Sequence, residues 1–312
     1  MESPFEIVRA ATDEAPQQEA RSRLGARKLP PSLANLDASA PAYQLDEELR
    51  AVLNAALVVG APLLLTGEPG TGKTQVAFYL KWYFNAPLET FYVKSTSTVR
   101  DLLYDFDAVA YLRSANDPAP NAKKERKDFM NPGPLWKAYS RSRNDKEVSV
   151  VLIDEIDKAP RDFPNDLLLE LDKHQIQNPF EPGQTISADP DRRPIIIVTS
   201  NAERRLPDAF LRRCISHRLE LSKTVVRKAV EARWKSDFPR LTEEMLKKAI
   251  EQFFRLRELP LEKKPSTAEL LVWLAILSAK GLEERSLDVS LSDLPAIWSL
   301  IKLPEDRERL PR

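Results

Sequence analysis

The chain has 312 residues, of which 42% are hydrophobic, enough apolar material for one large domain or two unequal ones. Lys plus Arg and Asp plus Glu both number 47, so no global field draws the chain onto nucleic acid or an anionic membrane. A single cysteine, Cys214, excludes an internal disulfide, and two histidines far apart, His174 and His217, leave little for a His-rich zinc site or a Ser-His-Asp arrangement.

The opening stretch MESPFEIVRA lacks the basic start and apolar core of a signal peptide. The longest apolar run, Ala55 to Leu65, is too short to span a bilayer and carries Gly60 and Pro62 inside it. These features point to a soluble, cytoplasmic protein without a membrane partner, in a reducing compartment where Cys214 reads as a small packed residue. Residues 1–40 mix charge, Gln, Ala and the prolines Pro4, Pro16, Pro30 and Pro31 with little periodicity. They read as a flexible N-terminal arm that orders on a partner or on the domain surface, or equally as a plain disordered tail.

From Leu45 to Val59 apolar residues fall three and four apart with acids in the first turn, which predicts an amphipathic helix. Leu63 to Leu65 read as a buried strand, and Thr74 to Phe84 as a helix packed against a sheet, its aromatics core by default. Between them lies Gly67, Glu68, Pro69, Gly70, Thr71, Gly72, Lys73 and Thr74, which fits G-x-x-x-x-G-K-[ST] with a strand before it and a helix after it. Glycines let the backbone turn so that successive N–H groups face phosphate oxygens, and the helix that follows adds the positive end of its dipole. Lys73 would sit on the β- and γ-phosphate oxygens and the Thr74 hydroxyl on Mg²⁺. An accidental glycine turn is the competing explanation, and the flanking elements argue against it.

Thr90 to Val93 predicts a second strand, and Val99 to Leu112 a helix whose Leu102, Leu103, Phe106 and Val109 make one face. Ser114 to Pro134 breaks the pattern; its run Lys123, Lys124, Glu125, Arg126, Lys127 reads as a solvated loop, because a short run of mixed charge offers few phosphate contacts. Gly133, Pro134 and Leu135 open another helix. Val148 to Ile153 is a nearly unbroken apolar run, the mark of a strand covered on both faces in a parallel sheet. A helix over 165–171 and a turn-rich hairpin over 174–193 come next, followed by a buried strand from Ile195 to Val198. Strands alternating with helices predict an α/β core of three layers. Beyond about Thr224 helices are expected at 225–234, 242–256, 266–280 and 294–301, with Gly281 as a stop signal after the third, making a smaller helical domain.

Asp154 and Glu155 close the apolar strand. Asp154 is suited to the Mg²⁺ shell and Glu155 to polarising an attacking water, two separate carboxylate roles. Neighbouring side chains on a strand point opposite ways, so both reach one site only where the strand ends and the backbone bends. At the end of the next strand Asn201 offers an amide to the γ-phosphate or the water, although Ser-Asn also suits a turn. Phe210, Leu211, Arg212 and Arg213 then put guanidinium groups beside an apolar anchor, as phosphoryl transfer requires of a neighbour, or as a solvated helix displays.

In that order, GEPGTGKT, VVLIDEIDKAP, IIIVTSNAE and LPDAFLRRC resemble the AAA+ ATPases, and within them the MoxR-like branch, which GPL before the carboxylate strand and LP-x-A-x-L-x-R after the sensor strand parallel most closely. The resemblance runs from about Tyr43 to the end of the third C-terminal helix. It implies ATP and Mg²⁺ as cofactors and a homo-oligomeric ring, usually a hexamer, with ATP between subunits. It makes Asn201 the sensor-1 residue and Arg213, or failing it Arg212, the arginine supplied to the neighbour. Residues 41–223 would be the nucleotide-binding α/β domain and 224–312 a helical lid. The lid helix departs from the family at Ala268, where many relatives carry a sensor-2 arginine; Ser266 and Glu269 fit a helix capping box, and Lys263 or Lys264 could replace the missing contact. Lys94 to Thr98 stand where threading unfoldases carry an aromatic-apolar-glycine pore loop, and no N/T-K-x-D motif reads guanine. The expectation is therefore an ATP-hydrolysing ring that remodels or activates a partner protein, which the resemblance suggests could carry a von Willebrand A domain. The alternative is a nucleotide-binding scaffold or switch with little turnover. DNA remodelling has no basic helix behind it.

Overall fold

The computed structural model describes residue 8 and residues 17–27, 29–115 and 125–311. Part of the expected arm and the first two lysines of the 123–127 run lie outside the described residues. By contact the chain divides into two units: Leu45–Glu68 with Lys73–Leu219, and Met1–Gln44 with Pro69–Gly72 and Glu220–Arg312.

Three short helices come first, α1 (Gln17–Ala26), α2 (Pro31–Ala34) and α3 (Leu36–Ser39). The α/β unit then begins with α4 (Glu47–Val59), capped by Asp46, whose side chain accepts the Leu49 N–H at 2.7 Å, and ended by Gly60 in the left-handed region. β1 (Leu63–Thr66), α5 (Lys73–Phe84) and β2 (Leu88–Tyr92) follow.

The helix expected over 99–112 is not continuous. It is α6 (Val99–Leu103), then β3 (Tyr104–Phe106), then α7 (Ala108–Ala115). Tyr104 and Phe106 pair across to β4 (Met130–Pro132), a partner distant in sequence that local periodicity cannot reveal, and Val109 is exposed. α8 (Pro134–Asn144) starts on a proline at its first turn, and Gly133 before it donates to the Leu103 carbonyl at 2.8 Å. A Cβ on Gly133 would stand 2.5 Å from the Leu102 carbonyl oxygen, so the approach requires glycine.

β5 (Val150–Asp154) is buried throughout. α9 (Phe163–Asp166) and α10 (Leu168–Lys173) replace the single expected helix, and the expected hairpin is β6 (Gln175–Gln177) with β7 (Thr185–Ser187). β8 (Ile195–Ser200), α11 (Asp208–Leu211) and β9 (Ile215–Arg218) complete the unit. The main sheet is parallel in the order β2-β5-β8-β1-β9. β9 was not foreseen: its four residues Ile-Ser-His-Arg carry a weak apolar signal, and pairing with β1 makes it a strand. In register, Tyr92 lies opposite Asp154 and Thr66 opposite Ser200, so the ends of β1, β5 and β8 come together at the carboxyl edge, where open α/β sheets bind ligands. The core is built on Leu64, Val151, Ile153, Ile196, Val198 and Phe210.

The second unit is helical after β9: α12 (Lys223–Glu231), α13 (Trp234–Asp237), α14 (Glu243–Glu258), α15 (Thr267–Lys280) and α16 (Pro304–Glu308). Gly281, φ +63°, ends α15 as a left-handed cap. The helix expected over 294–301 is instead a single 3₁₀ turn, Ile297–Ser299, preceded by another at Leu291–Asp293, because Pro295 cannot donate and Ala296 takes φ +58°. Trp273, Leu274, Phe253 and Phe238 are fully buried in this unit's own core. α2 is pinned within it by the Ser32 hydroxyl on Asp237, and the buried Arg233 donates to the Ala42 carbonyl at 3.1 Å. No helix among the described residues is long and apolar enough to cross a membrane.

Candidate functional site

β1 carries Leu63, Leu64 and Leu65 through the core and releases the chain into the glycine loop at its carboxyl end. Gly67, Gly70 and Gly72 all take positive φ, +144°, +75° and +93°, conformations that L side chains rarely adopt. Gly70 belongs by contact to the helical unit, where a Cβ on it would collide with the Ser266 side chain and stand 3.8 Å from Ala268. Ser266 and Glu269 form the expected capping box at the start of α15.

Lys73 opens α5 and is 6% exposed, its ammonium donating to the carbonyls of Gly67 at 2.8 Å and Glu68 at 2.9 Å. Burial holds its pKa below the ordinary lysine value, against the opposing pull of Asp157, Asp154, Glu155 and Glu68. A desolvated cation at the start of a helix that follows a glycine loop is suited to a polyanion.

Thr74, one residue on, donates its hydroxyl to Asp154 Oδ1 at 2.9 Å. The loop and β5 are thereby joined through an oxygen pair, hydroxyl and carboxylate, of the hard type that Mg²⁺ takes together with phosphate oxygens and water. Among the described residues no three His, Cys, Asp or Glu side chains gather to hold a metal, so an ion here would depend on the nucleotide for part of its shell. The donor set fits Mg²⁺ with a nucleoside triphosphate.

The backbone bends at Glu155, which takes φ +60°, so the strict alternation of the strand ends there. Asn201, just past β8, donates from Nδ2 to Glu155 Oε1 at 3.2 Å, and Lys158 forms an ion pair with Glu155 Oε2. Thr199 links the two carboxylate residues: its hydroxyl donates to Asp154 Oδ1 at 2.6 Å and accepts the Glu155 N–H at 2.8 Å. Sequence reasoning missed Thr199, Asp157 and Lys158. A polar residue ending the otherwise apolar run Ile195–Val198 was the available signal for the first.

Arg213 and Arg212 stand apart from this network. Arg213 donates to Asp172 at 2.6 Å and to the Ala209 carbonyl at 2.8 Å, whereas Arg212 is exposed. Phe210 anchors the segment and is fully buried. Cys214 packs against the same core, and burial pushes its thiol up to about 12, so it stays protonated at neutral pH.

A parallel sheet with a glycine loop after its first strand and an acidic pair at the end of another defines a P-loop nucleotide-binding fold. Residues 62–214 match the family model of the AAA domain, dynein-related subfamily. Two solved structures show likeness across most of the chain. One is a candidate ATPase from Cytophaga hutchinsonii, 14% identical with a TM-score of 0.40, covering 88% of this chain and 82% of that one. The other is NtrX from Brucella abortus in complex with ADP, 13% identical with a TM-score of 0.49, covering 95% and 68%. No curated protein matches the chain.

Proposed function

We propose that the protein is a Mg²⁺-dependent ATPase of the MoxR-like AAA+ branch, a cytoplasmic homo-oligomeric ring, a hexamer, that remodels or activates a partner protein. The observation that carries the reading is the continuous chain of contacts from the glycine loop to the water-activating carboxylate, Thr74 to Asp154 to Thr199 to Glu155 to Asn201. Gly67 to Thr74 would bind the phosphates, with Lys73 on the terminal oxygens and Thr74 and Asp154 holding Mg²⁺. The ion, when bound, supplies Lewis-acid charge to those oxygens. Glu155 would take the proton of the attacking water while Asn201 holds the Glu155 carboxylate and the water in line. Arg213 would be lent to the neighbouring subunit on leaving Asp172, with the exposed Arg212 as the second candidate. The client, a protein with a von Willebrand A domain, is taken from the family resemblance alone.

A second reading, a nucleotide-dependent scaffold with little turnover, is favoured by Ala268 beside Gly70 and by Glu155, whose two oxygens are both engaged. Phosphate release and particle size, each followed with and without Mg·ATP, separate the two. Expected are assembly and turnover in the unmodified protein, loss of nucleotide binding in Lys73→Ala, and binding without hydrolysis in Glu155→Gln. Inactive Arg213→Ala and Glu155→Gln protomers should regain part of the activity when mixed. Wild-type turnover by Glu155→Gln would remove the catalytic assignment, and assembly without phosphate release would leave the scaffold.

A further inference from the structure

Beyond the loop and the carboxylate pair, the ends of β5 and β8 hold one another by a second set of hydrogen bonds. Asp157, 4% exposed, lies in the 3₁₀ turn after β5 and uses both carboxylate oxygens on the loop after β8. One accepts the Asn201 N–H at 3.3 Å and the other the Glu203 N–H at 3.1 Å. Thr199, at 0% exposure on β8, reaches the opposite way, accepting the Glu155 N–H and donating to Asp154. Its single proton goes to the carboxylate and a lone pair takes the amide, so the hydroxyl acts as donor and acceptor at once.

Each strand end therefore fixes the backbone of the other. Two residues inside this exchange, Glu155 at φ +60° and Ala202 at φ +59°, occupy the left-handed region without being glycine. Such conformations persist where the surroundings over-determine them, and they gather at working sites. The captured amides fall where they are needed: Glu155 is held by its own N–H, and Ala202 lies between the held N–H groups of Asn201 and Glu203.

We propose that Asp157 and Thr199 are positioning residues, a reciprocal clasp that makes the Asn201 amide and the Glu155 carboxylate one rigid group. The inference rests on the reading of this site as one for a nucleoside triphosphate. With one Nδ2 hydrogen on Glu155, Asn201 would offer the other to the terminal phosphate while its backbone is tied to Asp157, and Glu155 would meet the water while its backbone is tied to Thr199. The clasp thereby couples recognition of the third phosphate to the aim of the carboxylate. Among the described residues neither side chain hydrogen-bonds to the phosphate loop, and Asp157 acts on Lys73 through its charge alone, so breaking the clasp should largely spare the binding of a diphosphate.

Thr199→Val keeps the shape and removes the hydroxyl, Thr199→Ser restores it, and Asp157→Asn leaves one acceptor in place of two. Full-length variants would be compared with the unmodified protein in three readouts: affinity for fluorescent ADP, affinity for a fluorescent non-hydrolysable ATP analogue, and steady-state turnover. The result expected of Thr199→Val and Asp157→Asn is ADP affinity within about twofold, loss of most of the preference for triphosphate, and a fall in kcat of about 10- to 100-fold with little change in KM. Thr199→Ser should return both preference and kcat. Wild-type discrimination and turnover in the two variants would overturn the clasp, as would equal loss of ADP and triphosphate binding, which a general structural role produces. Should Thr199→Val fail to fold, Asp157→Asn carries the same comparison. If the unmodified protein binds neither nucleotide, the reading of the site falls and the clasp with it; if it binds both and only the variants behave as wild type, the clasp alone falls.

Discussion

His174 shows how one side chain can set a pH dependence remote from the phosphate loop. It ends α10 in the left-handed region, φ +49°, is 8% exposed, and its Nδ1 has no hydrogen-bond partner among the described residues. Burial first, and the Arg193 charge second, hold its pKa below the ordinary histidine value. The folded protein thus binds fewer protons at this position than the unfolded chain does once pH drops below the ordinary value of about 6.5, and stability falls with it. Urea denaturation at pH 7.5 and pH 5.5 should give a lower midpoint at the acid pH. His174→Asn, which suits the left-handed backbone, should narrow that difference; an unchanged difference would assign the acid loss to other groups.

Elements in this fold depend on their end residues to different degrees. α4 is amphipathic and well capped at both ends, and Asp46→Ala removes only the bond to Leu49, a loss of about 1 kcal/mol in unfolding free energy. Chemical denaturation of the pair reads that cost directly, and Asp46→Asn should recover most of it. The two small two-stranded sheets, β3 with β4 and β6 with β7, depend on each other instead. Phe180, in the turn between β6 and β7, stacks on Phe106 of β3 at 5.3 Å and meets Tyr104 edge-on at 5.4 Å. Lys127 reaches Glu181 at 3.3 Å alongside them. A three-residue strand has too little pairing of its own to persist, and this aromatic contact supplies the missing burial.

At the scale of the molecule the chain builds two separate cores, one around the parallel sheet and one among α12, α14 and α15. Phe210 and Trp273, both at 0% exposure, are central to them. Truncating either to alanine should cost about 3–5 kcal/mol, the transfer of a large side chain plus the cavity left behind. Intrinsic fluorescence during urea unfolding would register both, and a loss below about 1 kcal/mol at either position would show that core to be loosely packed.

The amino-acid sequence by itself determined the features whose signals are local. The glycine loop between Leu65 and Thr74, the apolar run ending in Asp154 and Glu155, the cap at Ser266 and Glu269, and the stop at Gly281 each rest on side-chain spacing or on φ freedom within a few residues. Only the tertiary structure decided what depends on a distant partner. β3 exists because β4 pairs with it, β9 because β1 does, and Thr199 matters because a crossover brings β8 alongside β5. Nor could spacing foretell that Arg213 would be held by Asp172 or that Asp157 would hold the Asn201 loop. Periodicity records which face of an element is buried, whereas a hydrogen bond between strand ends is settled by the order in which the strands assemble.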